Sequence, residues 1–193
     1  GQKSHKLLCD AITVLANLEH RGACGCEDNV GDGAGVLMQV PHKFLAKKCA
    51  ALRIPLPDEG QYGVGMVLLP NDPPQRRACE QVIERVVAEE GQKFLGWRGV
   101  PRDNSQLGDT ALKVEPVIRQ FFVAPCDGCD MATLEWKLYV IRKRVEHEIH
   151  ESFLPLKKSF YIPSLSTKTI VYKGLLLAGQ IATYYADLTD PDM

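Results

Sequence analysis

The chain has 193 residues, of which 45% are hydrophobic and 24% charged, and its formal net charge is −1. A chain of this length can bury about 70% of its unfolded surface, which predicts one domain with a substantial core. The near-neutral charge gives no support to a nucleic-acid or other polyanionic partner. No apolar run approaches the ~20 residues of a membrane-spanning helix, and no secretory signal is predicted, because no clean apolar segment follows Lys3 and Lys6.

The cysteines indicate a reducing environment. There are seven, an odd number, and a chain of this size with a competent core does not need a disulfide framework. The sequence therefore predicts the cytoplasm, or a plastid if the source is a photosynthetic eukaryote. Cys126 and Cys129 have the spacing of a zinc half-site, but Cys24 and Cys26 do not, and roughly a hundred residues separate the pairs. We predict no metal site and interpret these four as loop cysteines, with a bound zinc or a disulfide as the alternative.

The first predicted element is a helix over 4–20, because its apolar residues recur at helical spacing. Ser4 is the expected N-cap. Gly22 is expected just after the last turn, where a left-handed backbone costs glycine little. A glycine- and acid-rich turn follows and leads into a buried strand over 34–40. Glycines let this backbone turn sharply and pass close to other groups; they stand at positions 25, 31, 33 and 35.

Helices and strands alternate along the rest of the chain. They predict one α/β or α+β unit, because there is no internal repeat and no long linker, but their order does not choose a topology. Trp97 and Trp136 are expected to be buried, and the basic run 142–144 is expected on a solvated helix face. The remaining predicted elements are a helix over 41–53, a strand over 62–69, a helix from Asp72 to Gly91, a strand over 94–100, a helical turn before Pro116, a strand over 117–123, a helix over 131–149, a strand pair over 160–162 and 169–172, and a helix over 175–186.

A family resemblance adds to this interpretation. LEHRGACG followed by GDGAG resembles the start of the glutaminase domain of glutamate synthase, a class II amidotransferase domain. Four further blocks follow in the family's order: FLGWRGVP at 94–101, EPVIRQFFV at 115–123, KLYVIRKRVE at 137–146 and FYIPSLSTKTIVYKG at 160–174. The resemblance implies an α+β fold of the N-terminal-nucleophile type, a four-layer αββα sandwich. It also implies that residues 1–193 form the middle of a single domain, which is incomplete in this chain.

The chemistry implied by the resemblance is hydrolysis of the glutamine side-chain amide with release of ammonia. The nucleophile of such enzymes is a cysteine at the first residue of the mature chain, and its own α-amino group acts as the base. An asparagine side chain and a backbone N–H form the oxyanion hole. Here the first residue is Gly1, and none of the cysteines is N-terminal. We therefore expect no catalytic residue in this chain, a nucleophile upstream of it and glutamine-binding motifs downstream, so the chain alone is predicted to be inactive.

The resemblance carries over to a few positions of the first block. Arg21 matches the arginine that the family places beside the catalytic cysteine, so Arg21 and Gly22 are the predicted edge of the substrate pocket. The alternative for Arg21 is a structural role, with its guanidinium bonded to carbonyls at the helix end. Asp32 and Gly33 are predicted to form a structural turn near the pocket, with Asp32 making an Asx-type bond.

Two other readings of the glycine-rich stretch are weak. A dinucleotide-binding loop lies between a strand and a helix, whereas these glycines follow a helix and enter a strand. A calcium loop that starts at Asp28 fails, because Val30 stands where a ligand is needed and Gln39 where the closing glutamate belongs.

The resemblance also describes a complete enzyme around this segment. It passes ammonia through a protected channel to 2-oxoglutarate, and FMN, supplied with electrons through an iron–sulfur cluster, reduces the imine. No cofactor is expected on this segment itself. The implied partners are glutamine, the remaining domains of the synthase and a small NAD(P)H-oxidising subunit or domain, with an oligomeric parent. HRGACG with GDGAG favours NAD(P)H over ferredoxin as electron donor. Two alternatives stay open: a non-catalytic scaffold module with the same fold, and a stand-alone N-terminal-nucleophile amide hydrolase.

Overall fold

The computed structural model describes residues 3–19, 31 and 33–193. Helices and strands alternate much as the sequence predicts. The helices are α1 (His5–Asn17), α2 (His42–Ala51), α3 (Pro73–Glu89), α4 (Asp109–Lys113), α5 (Met131–Glu151) and α6 (Ile181–Tyr184). The strands are β1 (Ala34–Gln39), β2 (Gly63–Leu69), β3 (Lys93–Gly99), β4 (Val117–Ala124), β5 (Tyr161–Ser166) and β6 (Thr169–Gly174). Within the described ranges no helix is long and apolar enough to cross a membrane.

Side-chain caps fix where the main helices begin. The Ser4 hydroxyl accepts the N–H of Leu7 at the start of α1, as predicted. At the start of α3 the Asp72 carboxylate accepts the N–H of Gln75 at 3.0 Å. Such a cap stabilises a helix by about 1 kcal/mol. Helix α1 ends at Asn17, earlier than the predicted boundary at 20.

The larger sheet has four antiparallel strands in the order β3-β4-β2-β5. Helices α3 and α5 pack against each other and against this sheet, with the apolar residues of both helices inward. Two glycines of β2 allow close packing in this layer. A Cβ at Gly63 would lie 2.4 Å from Leu138 of α5, and one at Gly65 would lie 2.2 Å from Phe121 of β4. Glycine at these positions therefore lets a neighbouring side chain lie directly on the strand.

The smaller sheet pairs β1 with β6, also antiparallel, and an apolar core fills the space between it and the larger sheet. Helix α1 contacts β1. The expected α+β fold class with two sheets is thus confirmed. The prediction that β1 is buried is wrong: Val36 is buried, but Leu37 is 67% exposed. In the part of the chain that is described, β1 pairs with β6 alone, and its alternate side chains point away from the core.

The expectation that the two strands near the end of the chain pair with each other is also wrong. Strands β5 and β6 exist, but β5 joins the larger sheet and β6 the smaller one. The bend between them is held by Glu135 of α5, whose carboxylate accepts the Ser166 hydroxyl at 2.6 Å and the Thr167 N–H at 2.7 Å. The Ser164 hydroxyl accepts the N–H of Val171 at 3.0 Å. Side chains thus take up backbone groups that a hairpin would have paired with each other.

Three smaller expectations change as well. Trp136 is 66% exposed, although it was expected to be buried, whereas Trp97 packs between Phe94 and Phe121 with ring centroids 5.4 Å apart in each case. The basic run on α5 does more than face solvent, since Arg144 forms ion pairs with Glu89 at the end of α3 and with Glu90, the next residue. The segment expected to be one helix over 175–186 is broken into 3-10 turns on either side of α6.

Candidate functional site

Only part of the predicted site falls on described residues. Arg21 and Gly22, the predicted pocket edge, and Asp32, the predicted Asx residue, lie outside them. Gly33 is described, as is Gly31 two residues before it. The described part of the site consists of Gly31 and residues 33–35, which together we call the glycine turn, and of the groups that they contact.

The glycine turn lies directly against the backbone that follows β6. A Cβ at Gly31 would lie 2.5 Å from the carbonyl oxygen of Leu176 and 2.8 Å from the nitrogen of Leu177. Real Cβ atoms do not approach backbone so closely, and backbone atoms cannot rotate away as a side chain can. The predicted close approach at this glycine is therefore confirmed, and its partner is the main chain of residues 176 and 177.

The next two glycines of the turn have different reasons to be glycine. Gly33 has a φ of +131°, which non-glycine residues rarely adopt. Gly35 is paired with Lys173 across the β1–β6 ladder, and a Cβ there would lie 2.7 Å from the Lys173 Cβ. One glycine is thus needed for the backbone angle and the other for space, and together they bring the turn onto the end of β6.

A buried polar network lies beneath β6. The Arg98 guanidinium of β3 forms a bidentate pair with Asp187, with both N–O distances at 2.7 Å, and the two side chains are 5% and 2% exposed. Arg98 also donates to the Gln120 side-chain oxygen at 2.8 Å. The Gln120 amide donates to the hydroxyl of Tyr172 at 2.9 Å, and that hydroxyl donates to Asp187 at 3.0 Å. Each polar group of this closed network therefore has a partner, as buried polar groups require.

The network fixes the charge states of its members. Burial alone would lower the pKa of Arg98, but the hydrogen bond and negative charge of Asp187 raise it above its ordinary value. Burial, followed by the charge of Asp187, raises the pKa of Tyr172 well above its ordinary value. Arg98 thus stays charged and Tyr172 neutral near pH 7, so the network acts as a permanent brace for β6 rather than as a proton donor or acceptor.

Aromatic rings hold β6 from the side. The Tyr172 and Tyr185 rings meet edge to face with centroids 5.1 Å apart, and Tyr184 meets Tyr185 in the same way at 4.8 Å. The hydroxyl of Tyr185 donates to the backbone carbonyl of Lys173 at 2.8 Å. The Tyr184 hydroxyl donates to Glu115 at 2.9 Å. These contacts tie the end of β6 to the chain around α6, so the surface against which the glycine turn rests is itself held on two sides.

Sequence reasoning missed this network, although three of its members lie in blocks that carried the family resemblance. Arg98 lies in FLGWRGVP, Gln120 in EPVIRQFFV and Tyr172 in the block over 160–174. The available signal was a polar side chain within an otherwise apolar strand pattern. Such a side chain is buried only when it has a polar partner, so the pattern indicates a buried hydrogen bond or ion pair. Asp187 lies outside these blocks, and nothing in the local sequence marks it.

An open groove of about 650 Å³ runs along the glycine turn. It is lined by both strands of the smaller sheet, from Gly33 to Leu37 on one side and from Lys173 to Leu175 on the other, with Leu15 of α1 at the rim. Its walls are mainly apolar. The groove is thus lined in part by Gly33, for which the sequence predicted a turn near a substrate pocket.

The described cysteines are free thiols, and none lies in the glycine turn. Burial raises the pKa of Cys49 and of Cys79 to about 11, so both are protonated packing residues at neutral pH. Within residues 3–19, 31 and 33–193 no group of three or more histidine, cysteine or acidic side chains is arranged to hold a metal ion. Cys24 and Cys26 lie outside these residues.

The two antiparallel sheets, the helices packed on them and the braced glycine turn define an α+β protein consistent with the N-terminal-nucleophile type. Comparison of the sequence with protein families narrows this class. The model of the class II glutamine amidotransferases matches residues 1–193, and the chain belongs to this family.

The relatives with similar sequences described below are glutamate synthases. The chain is 41% identical over 192 residues to the glutamate synthase [NADPH] large chain of Bacillus subtilis, a match over 98% of this chain and 12% of the relative. It is 39% identical over 198 residues to the glutamate synthase [NADH] of Schizosaccharomyces pombe, a match over 100% of this chain and 9% of the relative. It is 36% identical over 191 residues to ferredoxin-dependent glutamate synthase 2 of Synechocystis, a match over 99% of this chain and 12% of the relative. The chain thus spans about a tenth of the length of these relatives.

Proposed function

We propose that this chain is a single partial domain, the middle of the glutaminase domain of a glutamate synthase. In that role it contributes to the hydrolysis of glutamine to glutamate and ammonia. The observation that carries the proposal is the agreement of two comparisons over the same residues. The amidotransferase family model matches the whole chain, and glutamate synthases match at least 98% of it in the three comparisons described above.

The proposed role of the glycine turn is to position the pocket edge. Arg21 and Gly22 are proposed to lie at the edge of the glutamine pocket, and Asp32 and Gly33 to form the turn beside it. The φ of +131° at Gly33 and the contact of Gly31 with the backbone of Leu176 support a turn held at a defined distance from β6. A fixed position matters, because a displacement of about 1 Å in a positioning residue can lower a catalytic rate about a hundredfold.

We further propose that the nucleophile is a cysteine upstream of Gly1, and that the 193-residue polypeptide alone does not hydrolyse glutamine. The N-terminal-nucleophile mechanism uses a free α-amino group on the nucleophile itself, and the residue at the start of this sequence is glycine. Among the cysteines of the described ranges, Cys49 and Cys79 are too deeply buried and too weakly acidic to replace it.

For the parent protein we propose transfer of the released ammonia to 2-oxoglutarate, with FMN and an iron–sulfur cluster held by other parts of the protein. The proposed electron donor is NADPH or NADH, with ferredoxin as the alternative, since the relatives include all three kinds. The proposed partners are glutamine, the other domains of the synthase and an NAD(P)H-oxidising subunit or domain, within an oligomer. The proposed compartment is the cytoplasm, or a plastid in a photosynthetic eukaryote.

The first test combines intact mass, N-terminal sequencing and a glutaminase assay on one purified sample. A longer protein that starts with a free cysteine and releases ammonia from glutamine supports the proposal. A longer protein with that cysteine but without hydrolysis, under conditions where it binds glutamine, contradicts it in favour of a scaffold module. A 193-residue polypeptide that hydrolyses glutamine by itself contradicts the proposed position of the nucleophile.

The role of Arg21 has its own test in the active, longer protein. Arg21→Lys keeps the charge but removes the bidentate geometry, so we expect the KM for glutamine or kcat to change about tenfold or more. Arg77→Lys is the matched control, because Arg77 is exposed on α3 and its ion pairs among the described residues are with Glu80 and Glu84 of the same helix. Equal kinetics for the two variants would assign Arg21 to the structural alternative.

A further inference from the structure

The turn between β4 and α5 places two thiols side by side. Its sequence is Cys126-Asp-Gly-Cys129, and the N–H of Cys129 donates to the carbonyl of Cys126 at 3.1 Å. Gly128, at the third position, has a φ of +80°, the value of a type II turn. The ends of such a turn have Cα atoms less than about 7 Å apart. A disulfide needs a separation of about 4.4 to 6.8 Å, so the backbone already brings the two cysteines to bridging distance.

Neighbouring groups hold this turn in place. The backbone N–H of Cys126 donates to the side-chain oxygen of Gln92 at 3.3 Å, and the Gln92 amide nitrogen lies 3.8 Å from the Cys126 sulfur. Asp130 ends the turn as the N-cap of α5, where it accepts the N–H of Thr133 at 2.7 Å. Both ends of the turn are thus anchored in the fold, while the thiols stay partly exposed to solvent.

We propose that Cys126 and Cys129 form a dithiol modification site, which low-molecular-weight disulfides such as glutathione disulfide convert to an intramolecular disulfide. One cysteine thiolate attacks a sulfur of glutathione disulfide, which gives a mixed disulfide and releases one glutathione thiolate. The thiolate of the other cysteine then attacks the protein sulfur of that mixed disulfide and releases the second glutathione. Two electrons pass from the cysteine pair to the glutathione disulfide, and the two thiol protons pass to the released glutathione thiolates.

The electrostatic surroundings agree with this assignment. Partial burial raises the pKa of the Cys129 thiol, and so do the adjacent Cys126 thiol and the negative charge of Asp130. Groups that disfavour the thiolate leave the reduced pair without the thiolate stabilisation that makes some dithiols strongly oxidising. We therefore expect a disulfide that forms slowly near pH 7 and resists reduction once it is formed.

The test is peptide mass spectrometry after equilibration of the whole chain in glutathione buffers of defined ratio. Trypsin releases residues 120–137 as one peptide, which contains Cys126 and Cys129 and no other cysteine. We expect this peptide to become lighter by two hydrogen atoms. Its equilibrium constant for oxidation should be about tenfold larger in the folded chain than in the synthetic peptide 120–137, because the fold holds the thiols together in advance.

Two glycine-to-alanine substitutions that introduce similar backbone strain show whether the effect on oxidation is specific to this turn. Gly128→Ala places a side chain at a positive φ within the turn, and we expect about a tenfold smaller oxidation constant. Gly60→Ala does the same at a φ of +78° in the loop before β2, also in open space, and should leave the constant unchanged. Glutathione adducts without an internal bond, a bond to any other cysteine, or equal constants for folded chain and free peptide would each overturn the proposal.

Discussion

The contact between the glycine turn and the chain after β6 predicts a large effect for one added methyl group. In Gly31→Ala, the Cβ would lie 2.5 Å from the Leu176 carbonyl oxygen, and ordinary contact begins at 3.4 Å. The two backbone segments must therefore separate by roughly 0.9 Å, since neither can rotate away. Overpacking of this kind costs about 1 to 3 kcal/mol. We expect a loss in the upper half of that range, measured as the free energy of unfolding from urea denaturation of the chain.

Gly99→Ala is the matched control for this substitution. Gly99 ends β3 in extended backbone, and a Cβ there meets nothing within 4 Å. Alanine should therefore be neutral or stabilise the strand by about 0.5 kcal/mol through the loss of glycine's extra freedom in the unfolded chain. If Gly31→Ala and Gly99→Ala unfold at the same urea concentration with equal m-values, the close approach of the glycine turn to residue 176 is refuted.

Three further predictions concern groups away from the glycine turn. Replacing Arg98 by Met leaves the Asp187 charge buried without its partner and should lower the free energy of unfolding, measured by urea denaturation, by about 3 to 5 kcal/mol. Replacing both Arg98 and Asp187 by apolar residues should lower it by less. Although burial opposes it, hydrogen bonds from the bend between β5 and β6 lower the pKa of Glu135. Its contribution to stability is therefore present above the unfolded-state pKa of about 4.3 and lost as the pH falls through the lower folded-state value. In Glu135→Gln, the free energy of unfolding, measured by urea denaturation at each pH, should fall less steeply from pH 6 to pH 3 than in the unchanged chain. An equal slope would contradict this. Burial raises the pKa of Cys49 to about 11, so iodoacetamide at pH 8 should alkylate the exposed Cys9 and spare Cys49 until the chain unfolds, as peptide mass spectrometry can show.

The elements that could be predicted from the sequence are those that local patterns determine. Helix α3 begins at an Asp-Pro pair and is followed by Gly91, which has a φ of +74° and accommodates the left-handed end of a helix. Helix α5 has apolar residues at helical spacing, and these are fully buried. Both signals lie within a few residues of the structure that they determine, so one sequence was sufficient to find them.

The assignment of strands to sheets depends on distant residues, and it could not be predicted in the same way. The bend over 160–174 contains enough turn-forming residues to suggest a hairpin. What separates β5 from β6 is the carboxylate of Glu135, which lies 31 residues before Ser166 in the sequence. Similarly, the partner of Arg98 is Asp187, 89 residues away. Neither partner is visible in a local pattern, because a side-chain acceptor has no required spacing from its donor.

The glycine turn combines both kinds of information. Its composition predicted a close approach, but the group approached is the backbone of residue 176, far along the chain. That backbone continues from β6, and β6 is braced from below through Tyr172 by the Arg98–Asp187 pair. A substitution that breaks the pair therefore acts on the glycine turn through the position of β6, without touching the turn itself. On the proposed function, such substitutions would lower glutamine hydrolysis in the longer protein in proportion to how far they displace this strand.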